Sequence, residues 1–149
     1  MSGARETVNQ SIKAYADGDL DGFMALVAED AVFRGPGGPG GHEVRGRAAI
    51  RAMVANQMAA WPNDNYEIRR QFVDGDVVVT EGVSTSTHKA ELTLATGETV
   101  PATGRTVTEE SVYIDHVVDG KIVDSVAYYD RHALLTQMGL LPVPATAAG

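Results

Sequence analysis

Two Asp-Gly pairs organise the second half of this chain. Asp74-Gly75 and Asp119-Gly120 each lie between two long runs that are rich in β-branched and aromatic residues. Asp-Gly in that setting is a strong signal for a tight β-hairpin turn. The four runs that flank the pairs are 66–73, 77–88, 106–118 and 121–129. A shorter hairpin is predicted to turn near 95–97, so most of the chain after residue 66 is expected to form an antiparallel sheet.

The first third of the chain follows helical periodicity instead. Two helices are predicted before residue 30, the second capped by Asp19, and a third is expected over about 46–60, ending at Trp61-Pro62. Their apolar stripes are Val8, Ile12 and Tyr15 in the first helix, Leu20, Phe23, Met24 and Val27 in the second, and Ile50, Met53, Val54 and Met58 in the third. Near the end of the chain, Asp130 is predicted to cap a short helix over 131–138.

A glycine- and proline-rich stretch separates the second and third helices. It covers 35–41, after a short predicted strand at 31–33, and no regular element tolerates that composition. The stretch could cover the mouth of a pocket, or it could simply connect two elements. It is not a phosphate-binding loop, because no Gly-Lys-Ser/Thr sequence follows it.

Helices followed by a long antiparallel meander indicate the α+β class. An open sheet must bury one face, and the N-terminal helices are the available cover. We therefore expect a cone-shaped α+β barrel, in which three N-terminal helices pack on a strongly curved, mostly antiparallel sheet, with a short C-terminal helix. Such a cone encloses an apolar pocket that suits a small hydrophobic molecule. The predicted domain spans 1–140, and 141–149 is expected to be a flexible tail.

The charge and composition of the chain exclude several classes of function. Its 149 residues carry 20 acidic and 12 basic side chains, a formal charge of −8. Because phosphate contacts supply most nucleic-acid affinity, an acidic chain without a basic run is not expected to bind nucleic acid or anionic membranes. Without a signal-peptide pattern or a run of about 20 apolar residues, it is expected to be cytoplasmic. It has no cysteine, and its four histidines lack metal-ligand spacing, so neither a metal nor a cofactor is predicted.

Three groups of residues resemble a known superfamily. They are 14–23 with 28–32 and 46–50; Thr87-His88 with 101–105; and 119–122 with Tyr129-Asp130 and 134–139. Together they resemble the nuclear transport factor 2-like superfamily, and within it the SnoaL-like polyketide and ester cyclases, over about residues 8 to 139. The resemblance implies the cone fold and acid/base chemistry without a cofactor. One fold hosts many reactions, so it does not name the reaction.

The residues that carry the chemistry in these families are mostly replaced here. The aspartate that cyclases of this type keep on the last strand falls at Ala127, where limonene-type epoxide hydrolases also keep a catalytic aspartate. The cyclase histidine on the neighbouring strand falls at Tyr113, and the ketosteroid isomerase base falls at Gly35. The protonated aspartate of the isomerase would fall at Asp115, although the turn lengths differ.

The last hairpin predicts which residues face the pocket. If its loop is the three-residue segment 118–120, Tyr113 pairs with Ser125 and Ser111 pairs with Ala127. Tyr113, Ser111, Ser125, Ala127 and Tyr129 would then line the pocket. The opposite face of the sheet is apolar enough to favour a homodimer through this outer face.

Glu81 and His88 are the predicted proton-transfer groups. Glu81 shares a strand face with three valines, and burial there would raise its pKa, although a salt bridge to Arg69 or Arg70 is the alternative. His88 could shuttle protons near neutral pH, or it could simply bond to backbone at a hairpin end. Tyr113 is predicted to donate to a carbonyl or enolate oxygen.

The same reasoning gives Tyr15 and Trp61 as ligand-binding residues, with plain core packing as the alternative for each. The leading hypothesis is a cyclase or isomerase that acts on a polyketide-, aromatic- or terpenoid-like substrate. The alternative, which the alanine at position 127 favours, is a non-catalytic binding protein of the same fold. A purely structural dimer module would instead fill the pocket with its own side chains.

Overall fold

The computed structural model describes residues 3–36, 42–62, 64–94 and 96–143. Four helices and eight strands follow one another along these residues. They are α1 Ala4–Ala16, α2 Leu20–Met24, β1 Val27–Gly35, β2 His42–Arg45, α3 Arg47–Ala60, β3 Asn65–Asp74, β4 Val77–Thr87, β5 Leu92–Thr93, β6 Thr99–Val100, β7 Thr106–Val118, β8 Lys121–Tyr129 and α4 Arg131–Gln137. None of the described helices has both the length and the hydropathy that a membrane span requires.

One six-stranded sheet dominates the structure. Its strand order is β2-β1-β8-β7-β4-β3, and β5 and β6 form a separate two-stranded sheet. Only the β1–β8 contact within the large sheet is parallel; the other neighbours are antiparallel. The predicted α+β class, with a mostly antiparallel sheet, is confirmed. The strand β2 and the parallel pairing of β1 were not predicted.

The last hairpin has a tighter turn than predicted. Asp119 and Gly120 both have positive φ, 51° and 72°, as a two-residue type I′ turn requires. Val123 is then an extra residue in β8, because Val117 faces Ile122 whereas His116 faces Asp124. The expected three-residue loop is therefore wrong.

The pairing of β7 with β8 shifts accordingly. Tyr113 lies opposite Ala127, and Ser111 lies opposite Tyr129. The predicted pairs were each displaced by two residues along β8. Because side chains alternate with a period of two, this displacement leaves Tyr113, Ser111, Ser125, Ala127 and Tyr129 on their predicted face. Ile122, predicted on the outer face, instead lies inside opposite Val117, because the bulge at Val123 shifts the alternation.

The first hairpin turns one residue later than predicted. Asp74 pairs with Val77, so Gly75 and Asp76 form the turn, and Gly75 takes the positive φ of 59° at its first central position. A two-residue turn at Asp74-Gly75 predicts Phe72 opposite Val77 and Ile68 opposite Glu81. In the structure Phe72 faces Val79, and a bulge at position 69 sets Ile68 opposite Gly82, so both predicted pairings are wrong.

The helix caps were predicted correctly, but one helix is shorter than expected. Asp19 accepts a hydrogen bond from the Gly22 N–H, and Asp130 accepts one from the Ala133 N–H, both at 2.9 Å. However, α2 ends at Met24, and Val27 begins β1 instead of extending the helical stripe.

Two apolar clusters pack α1 and α2 against the inner face of the sheet, and a third, around Ala60, Val107 and Met138, joins the ends of α3 and α4 to β7. The first joins α1, α2, α3 and β1, and its buried members are Ala14, Phe23, Met24, Val27, Ala31, Ile50 and Val54. The second joins α1 to β4, β7 and β8 through Val8, Val78, Val117 and Ile122. Burying one such side chain contributes about 1.5–3 kcal/mol, so these contacts hold the helices over the sheet.

Two predictions involve residues outside the described ranges. The glycine-rich stretch is described only at Gly35 and Pro36, since 37–41 lie outside, and the same holds for residues 144–149 of the tail. The pocket-cover and flexible-tail interpretations stay predictions.

Candidate functional site

A cavity of about 590 Å³ lies between the inner face of the sheet and the helices. Strand β7 supplies one wall with alternate residues, because every second side chain of a strand shares a face. These residues are Val107, Glu109, Ser111, Tyr113 and Asp115. An open cavity of this size counts against the purely structural module, which predicts a pocket filled by its own side chains.

Every residue predicted to bind a ligand lines this cavity. From the sheet these are Ser111, Ser125, Ala127 and Tyr129, and from the helical side Tyr15 and Trp61. Tyr113, predicted as a hydrogen-bond donor, lies among them. Their placement agrees with the prediction, whereas their roles stay predictions.

Glu81 lies on the opposite face of the sheet from the cavity. It pairs with Val112 on β7 and forms an ion pair with Arg70, with Nη2 2.6 Å from Oε2. The hydrogen bond from Arg70 lowers the pKa of Glu81. The expected buried carboxyl with a raised pKa is therefore wrong, and the salt-bridge alternative is correct.

His88 is buried but does not line the cavity. Its Nδ1 accepts a hydrogen bond from the Thr103 N–H at 3.1 Å, and its ring lies 5.0 Å from the Trp61 ring at an interplanar angle of 33°. Burial lowers the pKa of His88, although the Ala90 backbone partly opposes this. The buried ring supports Trp61, which forms part of the cavity wall. The structure thus gives His88 a packing position behind the wall instead of a place beside a ligand.

Two carboxyl groups that the sequence analysis did not select face the cavity together. Glu109 lies on β7, and Asp64 lies just before β3. Burial raises the pKa of Asp64 to about 6. Burial, together with the negative charge of Asp64, raises the pKa of Glu109 to about 7. A carboxyl group with a pKa near 7 can take up and release a proton at neutral pH.

Asp115 is a third cavity carboxyl, six positions from Glu109 along the same strand face. It is 6% exposed and lies opposite Ser125. Burial raises its pKa to about 6, and Ser125 partly opposes the shift. The position is the one that the sequence comparison aligned with the protonated aspartate of ketosteroid isomerases.

Four tyrosine hydroxyl groups complete the polar lining. Burial raises the pKa values of Tyr15, Tyr66, Tyr113 and Tyr129 above their ordinary value. Each phenol therefore stays protonated at neutral pH and can donate a hydrogen bond to an oxygen atom of a ligand. The negative charge of Glu109 contributes to the shifts of Tyr15, Tyr113 and Tyr129, which places this carboxyl near the three phenols.

The described residues offer no cluster of three metal-ligating side chains. Arg34 lines the cavity, but Asp124 binds its guanidinium group at 3.1 Å. The described lining residues suit proton transfer and hydrogen bonding within a largely apolar enclosure.

Comparison with known proteins identifies the family. Residues 8–125 match the model of the SnoaL-like domain. No functionally curated protein matches the chain.

Several solved structures share the fold. A candidate SnoaL-like polyketide cyclase from Jannaschia sp. CCS1 is 21% identical, with a TM-score of 0.79 and coverage of 93% of both chains. IdmH, a candidate polyketide cyclase from Streptomyces antibioticus, is 28% identical, with a TM-score of 0.73 and coverage of 93% of this chain and 99% of IdmH. An epoxide hydrolase from M. tuberculosis that resembles limonene epoxide hydrolase is 18% identical, with a TM-score of 0.67 and coverage of 91% and 88%. These similarities confirm the cone-shaped α+β fold. Because the match to the SnoaL-like domain model spans most of this chain, the chain belongs to the SnoaL-like domain family.

Proposed function

We propose that this protein is a SnoaL-like cyclase or isomerase that moves protons on a small hydrophobic substrate without a cofactor. The observation that carries the proposal is Glu109, a cavity carboxyl whose pKa is about 7. The apolar lining and the likeness to candidate polyketide cyclases support a polyketide-, aromatic- or terpenoid-like substrate.

Glu109 has the properties of a general base. In its ionised form it can take the proton from a carbon atom next to a substrate carbonyl, which leaves an enolate. Tyr113 can donate its phenolic hydrogen bond to the enolate oxygen and stabilise the developing negative charge. The protonated Glu109 then returns the proton to the carbon skeleton, as isomerisation or ring closure requires.

Glu109 and Asp64 would supply the carboxyl function that position 127 lacks. Ala127 lies opposite Tyr113, so the methyl group occupies the place where the resemblance implies an acidic side chain. Glu109 projects from the adjacent strand into the same cavity. The proposed enzyme therefore draws its acid/base group from β7 instead of β8.

A non-catalytic binding protein is the second candidate, and Ala127 is the observation that favours it. In that case the cavity would carry or sense a hydrophobic metabolite, and the raised pKa of Glu109 would only reflect burial. The two candidates differ in whether a bound ketone exchanges its acidic hydrogen atoms.

The proposed partner is a second copy of the chain, bound through the outer face of the sheet. The register aligns Val79, Ile114 and Val126 across that face, and Phe72 and Tyr128 beside them are each 59% exposed. An apolar strip of this kind is typical of an interface between subunits.

Hydrogen–deuterium exchange of 2-tetralone tests the proposed chemistry. The compound is a small hydrophobic ketone with acidic C–H bonds, and NMR in D₂O follows the loss of its C1 hydrogen atoms. The protein should accelerate exchange, and Glu109→Gln should reduce the acceleration roughly a hundredfold or more, as loss of a general base does. Glu110→Gln is the matched control, because Glu110 is an exposed neighbour that pairs with Arg69 on the outer face.

The two candidates predict different outcomes. If the unmodified protein binds 2-tetralone without accelerating exchange, the binding-protein candidate is favoured and the enzyme proposal is wrong. Equal rates for the unmodified protein and Glu109→Gln would remove Glu109 from the mechanism.

A further inference from the structure

Tyr66 reaches the cavity by lying across Gly82. Tyr66 belongs to the edge strand β3, and Gly82 lies inside the neighbouring strand β4, opposite Ser111 of β7. A Cβ atom at position 82 would stand 2.8 Å from Tyr66 Cε1 and closer still to Cζ and the hydroxyl oxygen. Any side chain larger than that of glycine would therefore displace the Tyr66 ring. Glycine weakens a strand interior, and its presence there often marks such a close approach.

Two polar atoms at this place have no hydrogen-bond partner among the described residues. They are Tyr66 Oη and Asp64 Oδ1, which are both buried and belong to cavity-lining residues two positions apart. Ser111 is near enough to lower the pKa of Tyr66, but no hydrogen bond of ordinary geometry joins the two side chains. Leaving a buried donor and a buried acceptor unpaired is unfavourable, and such groups in a cavity commonly pair with a ligand.

The chemistry of the two atoms defines what can satisfy them. The Tyr66 hydroxyl donates one hydrogen bond, and Asp64 accepts one when its carboxyl group is ionised. A ligand that satisfies both atoms needs one acceptor and one donor. A ketone with a neighbouring hydroxyl group offers this pair, and so does an enolised dicarbonyl compound.

We infer that Asp64 and Tyr66 form a recognition subsite for a hydroxyketone or an enolised dicarbonyl group. The ligand carbonyl accepts a hydrogen bond from Tyr66 Oη, and the ligand hydroxyl donates one to Asp64 Oδ1. Gly82 is a positioning residue, since it admits the Tyr66 ring. The inference rests on the proposed function of the cavity and narrows its substrate class, while Glu109 keeps the proton-transfer role.

Calorimetric titration with two matched ketones tests the subsite. At about pH 8, where Asp64 is ionised, 2-hydroxy-1-tetralone should bind roughly tenfold more tightly than 1-tetralone, the ratio expected for one well-made hydrogen bond. Asp64→Asn should bring the two affinities close together, whereas Tyr66→Phe should weaken the binding of both ketones, because the carbonyl group that accepts from Tyr66 is common to them. Tyr128→Phe and Asp74→Asn are the matched controls, because both residues are exposed and lie outside the cavity, and they should keep the preference.

A double-mutant cycle tests the role of Gly82. Gly82→Ala should weaken the binding of both ketones as much as Tyr66→Ala does, because the added methyl group displaces the ring. In the Tyr66→Ala background, Gly82→Ala should cause no further loss, since no ring remains to be displaced. A second, independent loss in the double variant would show that Gly82 acts through the strand and not through Tyr66.

The affinities of the unmodified protein for the two ketones test the inference even if a variant fails to fold. Equal affinity of the unmodified protein for the two ketones, or no binding of either, overturns it. Repeating the titrations with Glu109→Gln separates the two proposals, because this variant keeps the subsite. If the protein prefers 2-hydroxy-1-tetralone but does not exchange 2-tetralone, the enzyme proposal is wrong and the subsite is retained. If it exchanges 2-tetralone but binds the two ketones equally, the subsite is wrong and the enzyme proposal is retained.

Discussion

Glu109 and Asp64 face the same cavity, where burial of Glu109, together with the negative charge of Asp64, raises the pKa of the glutamate to about 7. Burial disfavours the charged form of a carboxyl group, and a nearby like charge disfavours it further. Asp64 lies just before β3 and Glu109 lies on β7, and the curved sheet brings both side chains to the same cavity. Their proximity is the feature from which the pH behaviour of the protein follows.

The exchange rate of 2-tetralone should rise with pH around a midpoint near 7. Glu109 must be ionised to accept a proton, so kcat/KM reports its titration in the free protein. Asp64→Asn should move the midpoint to lower pH, because the variant removes the like charge. Asp74→Asn, at the exposed end of β3, should leave the midpoint in place. A midpoint near the ordinary pKa of glutamate would contradict this assignment.

Glu109→Gln should stabilise the fold at alkaline pH relative to the unmodified protein. The folded-state pKa of Glu109 is raised from 4.5 to about 7, so folding favours its protonated form. That contribution is fully present below about pH 4.5 and is lost as the pH rises through about 7. The cost at about pH 8.5 is at most about 3 kcal/mol, from about 1.4 kcal/mol for each pH unit.

Urea denaturation at about pH 5 and pH 8.5 measures this effect. The stability of Glu109→Gln relative to the unmodified protein should increase between the two pH values, whereas Glu110→Gln should show no such trend. The same relative stability at both pH values would mean that Glu109 is solvated and titrates normally.

Glu81→Gln should leave the cavity chemistry unchanged. The variant removes the ion pair with Arg70 on the outer face, and exposed pairs contribute little to stability. We expect the same rate of 2-tetralone exchange and a nearly unchanged melting temperature. A large loss of exchange would show that the outer face influences the cavity, contrary to the geometry.

Ile114→Glu should dissociate the proposed homodimer. Ile114 lies at the centre of the outer apolar strip, and a buried unpaired carboxylate at an interface is strongly unfavourable. Light scattering should give the dimer mass for the unmodified protein and the monomer mass for the variant. A monomeric unmodified protein would exclude the dimer, and a dimeric variant would place the interface elsewhere.

The sequence predicts which residues of a strand share a face. It does not predict for every strand which of the two faces encloses the cavity. Alternation along β7 and β8 correctly grouped Ser111, Tyr113 and Ala127, because an error of two residues in register preserves parity. Glu109 is two positions before Ser111 on β7, so the alternation of side chains also predicts that it faces the cavity. Glu109 lies at none of the positions where the related families keep their catalytic groups, so the resemblance did not indicate it.

Glu81 illustrates the limit of hydropathy. On β4, the outward positions Val77, Val79 and Val83 are more apolar than the inward positions Thr80 and Ser84. Hydropathy predicts that the apolar face of β4 points inward, whereas in the structure the more polar face of β4 faces the cavity. A cavity lined with hydrogen-bonding groups, together with an outer face suited to a partner, reverses the usual relation between hydropathy and burial.

The positions of Asp64 and Tyr66 in the cavity depend on the tertiary structure and could not be predicted from local sequence patterns. Asp64 follows Trp61-Pro62 in a connection without periodicity, and nothing local indicates that it meets Glu109. The significance of Gly82 likewise appears only once the Tyr66 ring lies across it.

Titration of the side-chain carboxyl carbons by ¹³C NMR tests the account most directly. Assignment through Glu109→Gln and Asp64→Asn identifies the two resonances, and no substrate is required. The structure predicts midpoints of about 7 for Glu109 and about 6 for Asp64. Midpoints of both groups near 4 would mean that water solvates them freely, and the proposed acid/base site would then be wrong.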